Sequence, residues 1–309
     1  VRVLDEIIVA CLPWLALWIL LSGLDDLFLD LVCGADWLRR RLRSTPPLAP
    51  PAERPEKRTA IFVPLWREHR VIESMLEHNV SAIRHDNYEF FIGAYPNDAE
   101  TQEAVGRAET RFPNVHLALC PHDGPTSKAD CLNWIYQRML VYEQERAVRF
   151  EVIVVHDAED LVHPDELRWI GAYTDRYAMV QIPVLPLPTP GAEFTHGVYC
   201  DEFAEYQTKD MPARQLLGGF IPSNGVGTGY TREALEKAAL AHRNRIFDPA
   251  CLTEDYENGI RLHELGCPQL FVPIHFAAGH PVATREFFPR RFRHALKQRT
   301  RWVMGNALQ

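Results

Sequence analysis

The segment VIVVHDAED sets three carboxylates, Asp157, Glu159 and Asp160, directly after a β-branched run, Val152 to Val155. In open α/β sheets ligands bind beyond the carboxyl ends of strands, and clustered acids there suit a hard divalent cation that takes its other ligands from phosphate oxygens. The plain alternative is a solvated loop whose acids cap the next helix. CLTEDYENGIRLHELG predicts a helix capped by Thr253 and ended by Gly266, with Glu254 and Asp255 in its first turn. An acid at that position either stabilises the helix dipole, by about 0.3–1 kcal/mol, or serves as a general base at the mouth of the sheet. In GPTSKADCLNWIY, Ser127 caps a helix and Lys128 stands at its N-terminus. Anions such as a diphosphate are favoured there, although a solvated lysine is the commoner outcome. QRTRW places Gln298 and Trp302 on one helical face beside Arg301. That set is a platform for sugar rings or phosphates, or an interfacial anchor next to a membrane.

These residues need a frame. The apolar runs AIFVP, FFIGAY, VHLAL, VIVVHD, MVQIPV and LFVPI alternate with helical patterns over 67–84, 99–111, 127–146, 164–176 and 254–265. Such alternation predicts a mostly parallel sheet covered on both faces. In GGFIPSNGVGTGY, Gly225, Gly227 and Gly229 allow close approach of a ligand or a neighbouring segment, but the stretch is no Walker site. His156, His163, His275 and His280 lack zinc-motif spacing and read as structural, and no G-x-S-x-G elbow occurs.

Before this frame lies a different composition. Ile7 to Leu24 is an uncharged apolar run at the lower length limit for a membrane-spanning helix. An amphipathic stretch follows, with Leu24, Leu27, Phe28, Leu31, Val32, Ala35 and Leu38 on one face, and reads as an interfacial helix. Arg39, Arg40, Arg41 and Arg43 then place this end, and the rest of the chain, in the cytoplasm by the positive-inside rule. The division is therefore a membrane anchor and interfacial helix over 1–45, a proline-rich linker over 46–58 (Pro46, Pro47, Pro50, Pro51, Pro55), and a catalytic domain over 59–309. Starting at Val1 and stopping at Gln309, the sequence reads as a piece of something longer. A net charge of -8 argues against nucleic acid as a partner, even though Arg285 to Arg301 is strongly basic. The cysteines, seven in number and without C-x-x-C, suggest neither a disulfide framework nor structural zinc.

The order of these signals is more specific than any one of them. A strand ending in Pro64 with Glu68 nearby, then G-x-x-x-K, D-A-E-D, T-E-D and Q-x-x-R-W, resembles the processive members of glycosyltransferase family 2, which include cellulose and hyaluronan synthases. The resemblance covers about residues 59–305, and LLSGLDDLFLD and YPNDAET look closest to the bacterial inner-membrane phage-adsorption protein B group. It implies a GT-A type nucleotide-sugar-binding fold and an inverting transfer from a nucleotide-sugar donor, expected to be a UDP-sugar, to a glycan acceptor. By the same resemblance Glu68 lies by the uracil pocket, Lys128 approaches the diphosphate, and Asp157 and Glu159 hold Mg²⁺ or Mn²⁺. Asp255 is then the base, and Gln298, Arg301 and Trp302 line the acceptor entrance and the diphosphate. Two departures stand out. Glu159 replaces an Asp, which leaves Asp160 as an alternative second ligand, and YPNDAET replaces D-D-G-S, which leaves Asp98 as the substitute contact to the nucleotide. The group implies further partners: the inner membrane, a cyclic-di-GMP-responsive C-terminal domain and an outer-membrane export partner. A degenerate nucleotide-sensing or scaffolding protein and a metal-dependent phosphohydrolase are the rival readings.

Overall fold

Strand β1 (Thr59–Pro64) shows how the sequence builds the core, because its side chains alternate between two apolar layers. Ala60 and Phe62 face one layer, and Ile61 and Val63 the other. A strand apolar on both faces must be central and covered twice, and each fully buried Phe or Ile contributes about 1.5–3 kcal/mol. The same alternation runs through β2 (Tyr88–Ala94) and β4 (Val152–Val155). This computed structural model describes residues 2–43, 48, 55–277 and 279–308. Most of the expected proline linker, including Pro46, Pro47, Pro50 and Pro51, lies outside the described residues.

With β3 (Val115–Leu119), β5 (Met179–Gln181), β7 (Thr228–Thr231) and β8 (Gln269–Phe271), these strands form a sheet in the order β3-β2-β1-β4-β7-β5-β8. Only β7 runs antiparallel to its neighbours. Helices α4 (Lys128–Arg146) and α8 (Arg232–Ala241) cover one face through Leu132, Ile135, Leu235 and Ala238. On the other face lie α2 (Ile72–Ala82), α3 (Ala99–Arg111) and α5 (Glu166–Tyr173), through Leu76, Val105 and Ile170. The chain leaves β1 toward β2 and returns to β4 on the other side, so the strand order switches between β1 and β4. A crevice at their carboxyl ends follows from this topology.

Several boundaries differ from expectation for identifiable reasons. Helix α2 starts at Ile72 rather than 67, since Arg67 takes a left-handed φ of 60° and residues 65–71 form a loop. The run MVQIPV splits at Pro183, which has no N–H to donate. Strand β5 therefore stays in the main sheet, while β6 (Val184–Pro186) leaves it to pair in parallel with β11 (Thr284–Glu286). The glycine-rich stretch supplies β7, with no apolar run to announce it. Between β6 and β7 lie α6 (Phe194–Glu205), a π-turn (Tyr206–Asp210) and α7 (Met211–Leu216). After β8 come α10 (Phe292–Ala307) and, before it, the short β9 (Phe276–Ala277) and β10 (His280–Pro281).

The N-terminal segment is one continuous helix, α1 (Arg2–Arg43), and not a spanning helix followed by a separate interfacial one. Neither Gly23 nor the Asp25–Asp26 pair interrupts the backbone ladder. From Asp5 to Phe28 its side chains are exposed, and it is long and apolar enough to cross a membrane by length and composition. Its second half meets the π-turn, where Lys209 Nζ lies 3.5 Å from Asp30 and 3.8 Å from Asp26, and Cys33 Sγ donates to the Lys209 carbonyl.

Candidate active site

The crevice opens where β4 ends. His156 and Asp160 are fully buried beneath it, with His156 Nδ1 2.9 Å from Asp160 Oδ2 and Nε2 3.0 Å from Glu166. Burial pulls the His156 pKa down, but Glu166 and Asp160 outweigh it and raise it to about 10. Asp160 Oδ2 also accepts the Asp157 backbone N–H at 2.9 Å, which curls the loop so that Asp157 and Glu159 point into the crevice. Asp160 is thus turned inward to shape the loop, and of the two alternatives for the second acid only Glu159 faces the cavity. Burial, then Asp157, Asp160 and Glu68, push Glu159 up to about 7.

Lys128 stands at the first position of α4, whose N-terminus Ser127 caps by accepting from the Asp130 N–H. Its Nζ lies 2.6 Å from Asp157 Oδ1 and donates to the Gly225 carbonyl at 3.2 Å. Burial opposes its charge, but Asp157, Glu254 and Asp255 hold it firmly protonated. On this side a cavity of about 610 Å³ is walled by Leu65, Trp66, Glu68, Tyr95, Lys128 and Arg301. Burial, then Asp157 and Asp98, raise the Glu68 pKa. Asp98 does not reach this cavity. Its Oδ2 accepts the Arg67 N–H at 2.6 Å, beside the Glu68 N–H that donates to Thr101 Oγ1, so Asp98 holds the loop after β1 in its left-handed turn. Asn97 and Tyr95 do similar work, bonding Gly124 and Thr126 in the loop before α4.

Opposite stand α9 (Glu254–Glu264) and α10. Thr253 occupies the cap position of α9, but its hydroxyl caps nothing. It packs against Gly305, where an added Cβ would come within 2.5 Å of Thr253 Cγ2, and this contact seats α10 over the start of α9. Gln298, Arg301 and Trp302 are thereby brought above Asp255. The Asp255 carboxylate accepts the Tyr256 N–H at 2.8 Å. Its pKa is raised by burial, against the pull of Lys128, the Tyr256 N–H and Arg301. Glu254 is raised by burial and by Asp255. Gly225, at φ 77°, makes room for this acid: a Cβ there would lie 2.5 Å from Asp255 Oδ2.

Beyond Asp255 a second cavity of about 290 Å³ is lined by Phe203, Tyr206, Arg214, Glu286, Phe288 and Trp302. Tyr199 stacks on Phe288 at 4.9 Å and meets Trp302 edge-on at 6.2 Å, while its hydroxyl donates to Gln298 at 2.8 Å. Gln298 therefore props the aromatic wall. Between the two cavities a narrow centre of about 170 Å³ is shared by Lys128, Asp157, Glu159, Asp255, Glu286 and Arg301. Sequence reasoning missed Glu286 and the aromatic wall. Only the acid's alternation with Thr284 in ATREFF hinted that both face inward.

Among the described residues no three Asp, Glu, His or Cys side chains converge as a preformed metal cage. A cation such as Mg²⁺ keeps few protein ligands and draws the rest from phosphate and water. Asp157 and Glu159, two hard oxygen donors facing the cavity beside Lys128, are the residues that would hold it.

The profile named Glycosyltransferase like family 2 matches residues 55–305. Bacteriophage adsorption protein B of Escherichia coli (strain K12) is 39% identical over 320 residues, which covers 96% of this chain and 42% of the relative. The figures are the same for bacteriophage N4 adsorption protein B of Escherichia coli O157:H7. The chain thus spans about two fifths of the length of the curated relatives it matches. Among solved structures, a mannosyltransferase from Pyrobaculum calidifontis, PcManGT, in complex with GDP-Man and Mn²⁺, superposes with a TM-score of 0.60 at 19% identity, covering 87% of this chain and 67% of that one.

Proposed function

Because this chain belongs to glycosyltransferase-like family 2 and has the GT-A-like α/β fold with a mostly parallel sheet, we propose that it transfers a sugar from a nucleotide-sugar donor, a UDP-sugar, to a growing exopolysaccharide or cell-surface glycan. One observation carries the reading: Lys128, Asp157, Asp255 and Arg301 converge on a single narrow centre between two cavities. Glu68 and Trp66 would border the nucleoside on one side, and Trp302 and the aromatic wall the acceptor on the other.

The chemistry follows from this arrangement. Asp255 takes the proton of the acceptor hydroxyl as it attacks the anomeric carbon, a role typically worth ~10²–10⁴-fold. A raised pKa brings such a carboxylate nearer to neutral pH and makes it a stronger base. The diphosphate leaves toward Lys128 and Arg301, whose charges offset the charge that develops. Asp157 and Glu159 would hold a divalent ion, which would supply Lewis-acid stabilisation to the leaving group. In-line displacement with inversion is the outcome that the family resemblance implies for this base. Helix α1 anchors the chain in the bacterial inner membrane with the catalytic domain on the cytoplasmic side. We include a cyclic-di-GMP-responsive domain and an outer-membrane export partner among the partners that this reading implies.

The test is incubation of the chain with a panel of nucleotide sugars, Mg²⁺ or Mn²⁺, and oligosaccharide acceptors. Sugar transfer with inverted configuration is the expected result. Tight donor binding with no turnover would point instead to a nucleotide-sensing or scaffolding component, and plain release of phosphate to a hydrolase.

A further inference from the structure

Glu286 is a carboxylate that the transfer mechanism leaves without a role. It sits at the end of β11, where its backbone carbonyl accepts the Leu187 N–H at 2.8 Å, and two residues before it Thr284 donates from its hydroxyl to Glu166 at 3.1 Å. Through Glu166 and His156 this strand is tied to the same buried network that shapes the Asp157 loop. The Glu286 side chain borders both the narrow centre and the aromatic cavity. Among the described residues its carboxylate has no hydrogen-bond or ion-pair partner, although a desolvated carboxylate left unpaired is costly. Burial, then Asp160, Asp157 and Glu159, push its pKa well up, and Lys128 offsets this only in part.

The ligand such a group awaits is set by its surroundings. The stacked Tyr199 and Phe288 and the edge of Trp302 offer apolar faces to a sugar ring, and Glu286 offers oxygen atoms to its hydroxyl groups. Most nearby cations are committed elsewhere: Lys128 and Arg301 to the diphosphate in the proposed reaction and Arg299 to Glu202, which leaves Arg214, lying over the ring of Phe220, as the cation of the cavity lining. A further carboxylate brought into this cavity would meet two acids, Asp255 and Glu286, against the single guanidinium of Arg214. We infer that Glu286 is the acceptor-recognition residue, binding hydroxyl groups of an uncharged sugar and excluding uronic acids. This rests on the transferase reading and adds to it the class of acceptor.

The experiment uses the full chain with its preferred nucleotide sugar and matched pairs of p-nitrophenyl glycosides: glucoside and glucuronide, galactoside and galacturonide, mannoside and mannuronide. Wild type should transfer to at least one neutral member and at least ~10-fold less efficiently to its uronic counterpart. Glu286→Ala should raise the acceptor KM ~10-fold or more, as loss of a hydrogen bond to a charged group does, while donor Kd stays within about twofold. Glu286→Gln, close in shape, should fold in any case and narrow the neutral-over-uronic preference. Equal use of both members of every pair, or an unchanged acceptor KM in both variants of an enzyme that transfers, would overturn the inference and leave the transferase reading standing. A wild type that neither binds nor turns over any nucleotide sugar would remove that reading, and the inference with it.

Discussion

Replacing Asp255 by Asn separates a base from a helix-end acid. Asn keeps an oxygen to accept the Tyr256 N–H at 2.8 Å and fits beside Gly225, whose missing side chain leaves room for a group of this size. Lys128 retains its 2.6 Å contact to Asp157, so the diphosphate side is little disturbed. What is lost is the ability to take a proton. Transfer should fall ~10²–10⁴-fold, equivalent to about 2.7–5.4 kcal/mol of barrier at 1.36 kcal/mol per decade, with donor Kd nearly unchanged. Stability should move the other way. The Asp255 pKa is raised in the folded state, so the folded protein favours the protonated acid. The contribution of that acid is intact below its unfolded pKa of about 3.9 and is lost as pH rises through the folded value. At neutral pH the Asn variant, which has no such penalty, should melt at the same temperature as wild type or higher, with the advantage vanishing in acid. The assays are initial rates at saturating donor and acceptor, and thermal melts from pH 3 to 8. Near-normal transfer by the folded Asn variant would refute the assignment of the base.

Asp157→Ala should weaken nucleotide-sugar binding in Mg²⁺ or Mn²⁺ by at least ~10-fold, the cost of losing a charge-assisted contact. Titration calorimetry with and without EDTA checks this, and a wild-type affinity indifferent to EDTA would count against a metal at Asp157 and Glu159. Trp302→Ala should impair acceptor use while nucleotide binding survives, because Trp302 borders the narrow centre and the aromatic cavity but not the one around Glu68. Loss of nucleotide binding in a folded variant would contradict this. Removing residues 1–45 should release the chain from the membrane fraction, with any residual attachment through the basic C-terminal stretch freed by high salt. A truncated chain that stays wholly membrane-bound in salt would argue against α1 as the anchor.

How legible each part was depended on whether its signal was local. Strand β4 and its acids could be read directly, because a β-branched run ending in carboxylates is contiguous in sequence. Strand β7 was invisible, since TGYT is held by neighbours on both sides and needs no apolar run of its own. The loop-holding bond of Asp98 was equally hidden, because its partner, the Arg67 N–H, lies across a loop 31 positions away in sequence. Thr253 has the right type for a cap, and the close packing of Gly305 decides otherwise. Glu286 carries no motif at all, and only the pairing of β11 with β6 brings it to the crevice.

The unbroken course of α1 has a consequence for where synthesis takes place. A continuous α-helix rises about 1.5 Å per residue and resists bending, so in the proposed anchored state it is a strut of fixed length. Its lower half is fastened at Asp30 and Cys33 to the π-turn around Lys209, and Tyr206 of that same turn borders the aromatic cavity. From Leu24, where the apolar run ends, to Asp30 is six residues in sequence, or about 9 Å along the axis. The cavity that would receive the growing glycan is therefore suspended at a set, short depth below the lipid boundary. Successive sugars would be added at one constant level, so the end of a lengthening chain could stay near the bilayer without the enzyme moving toward it.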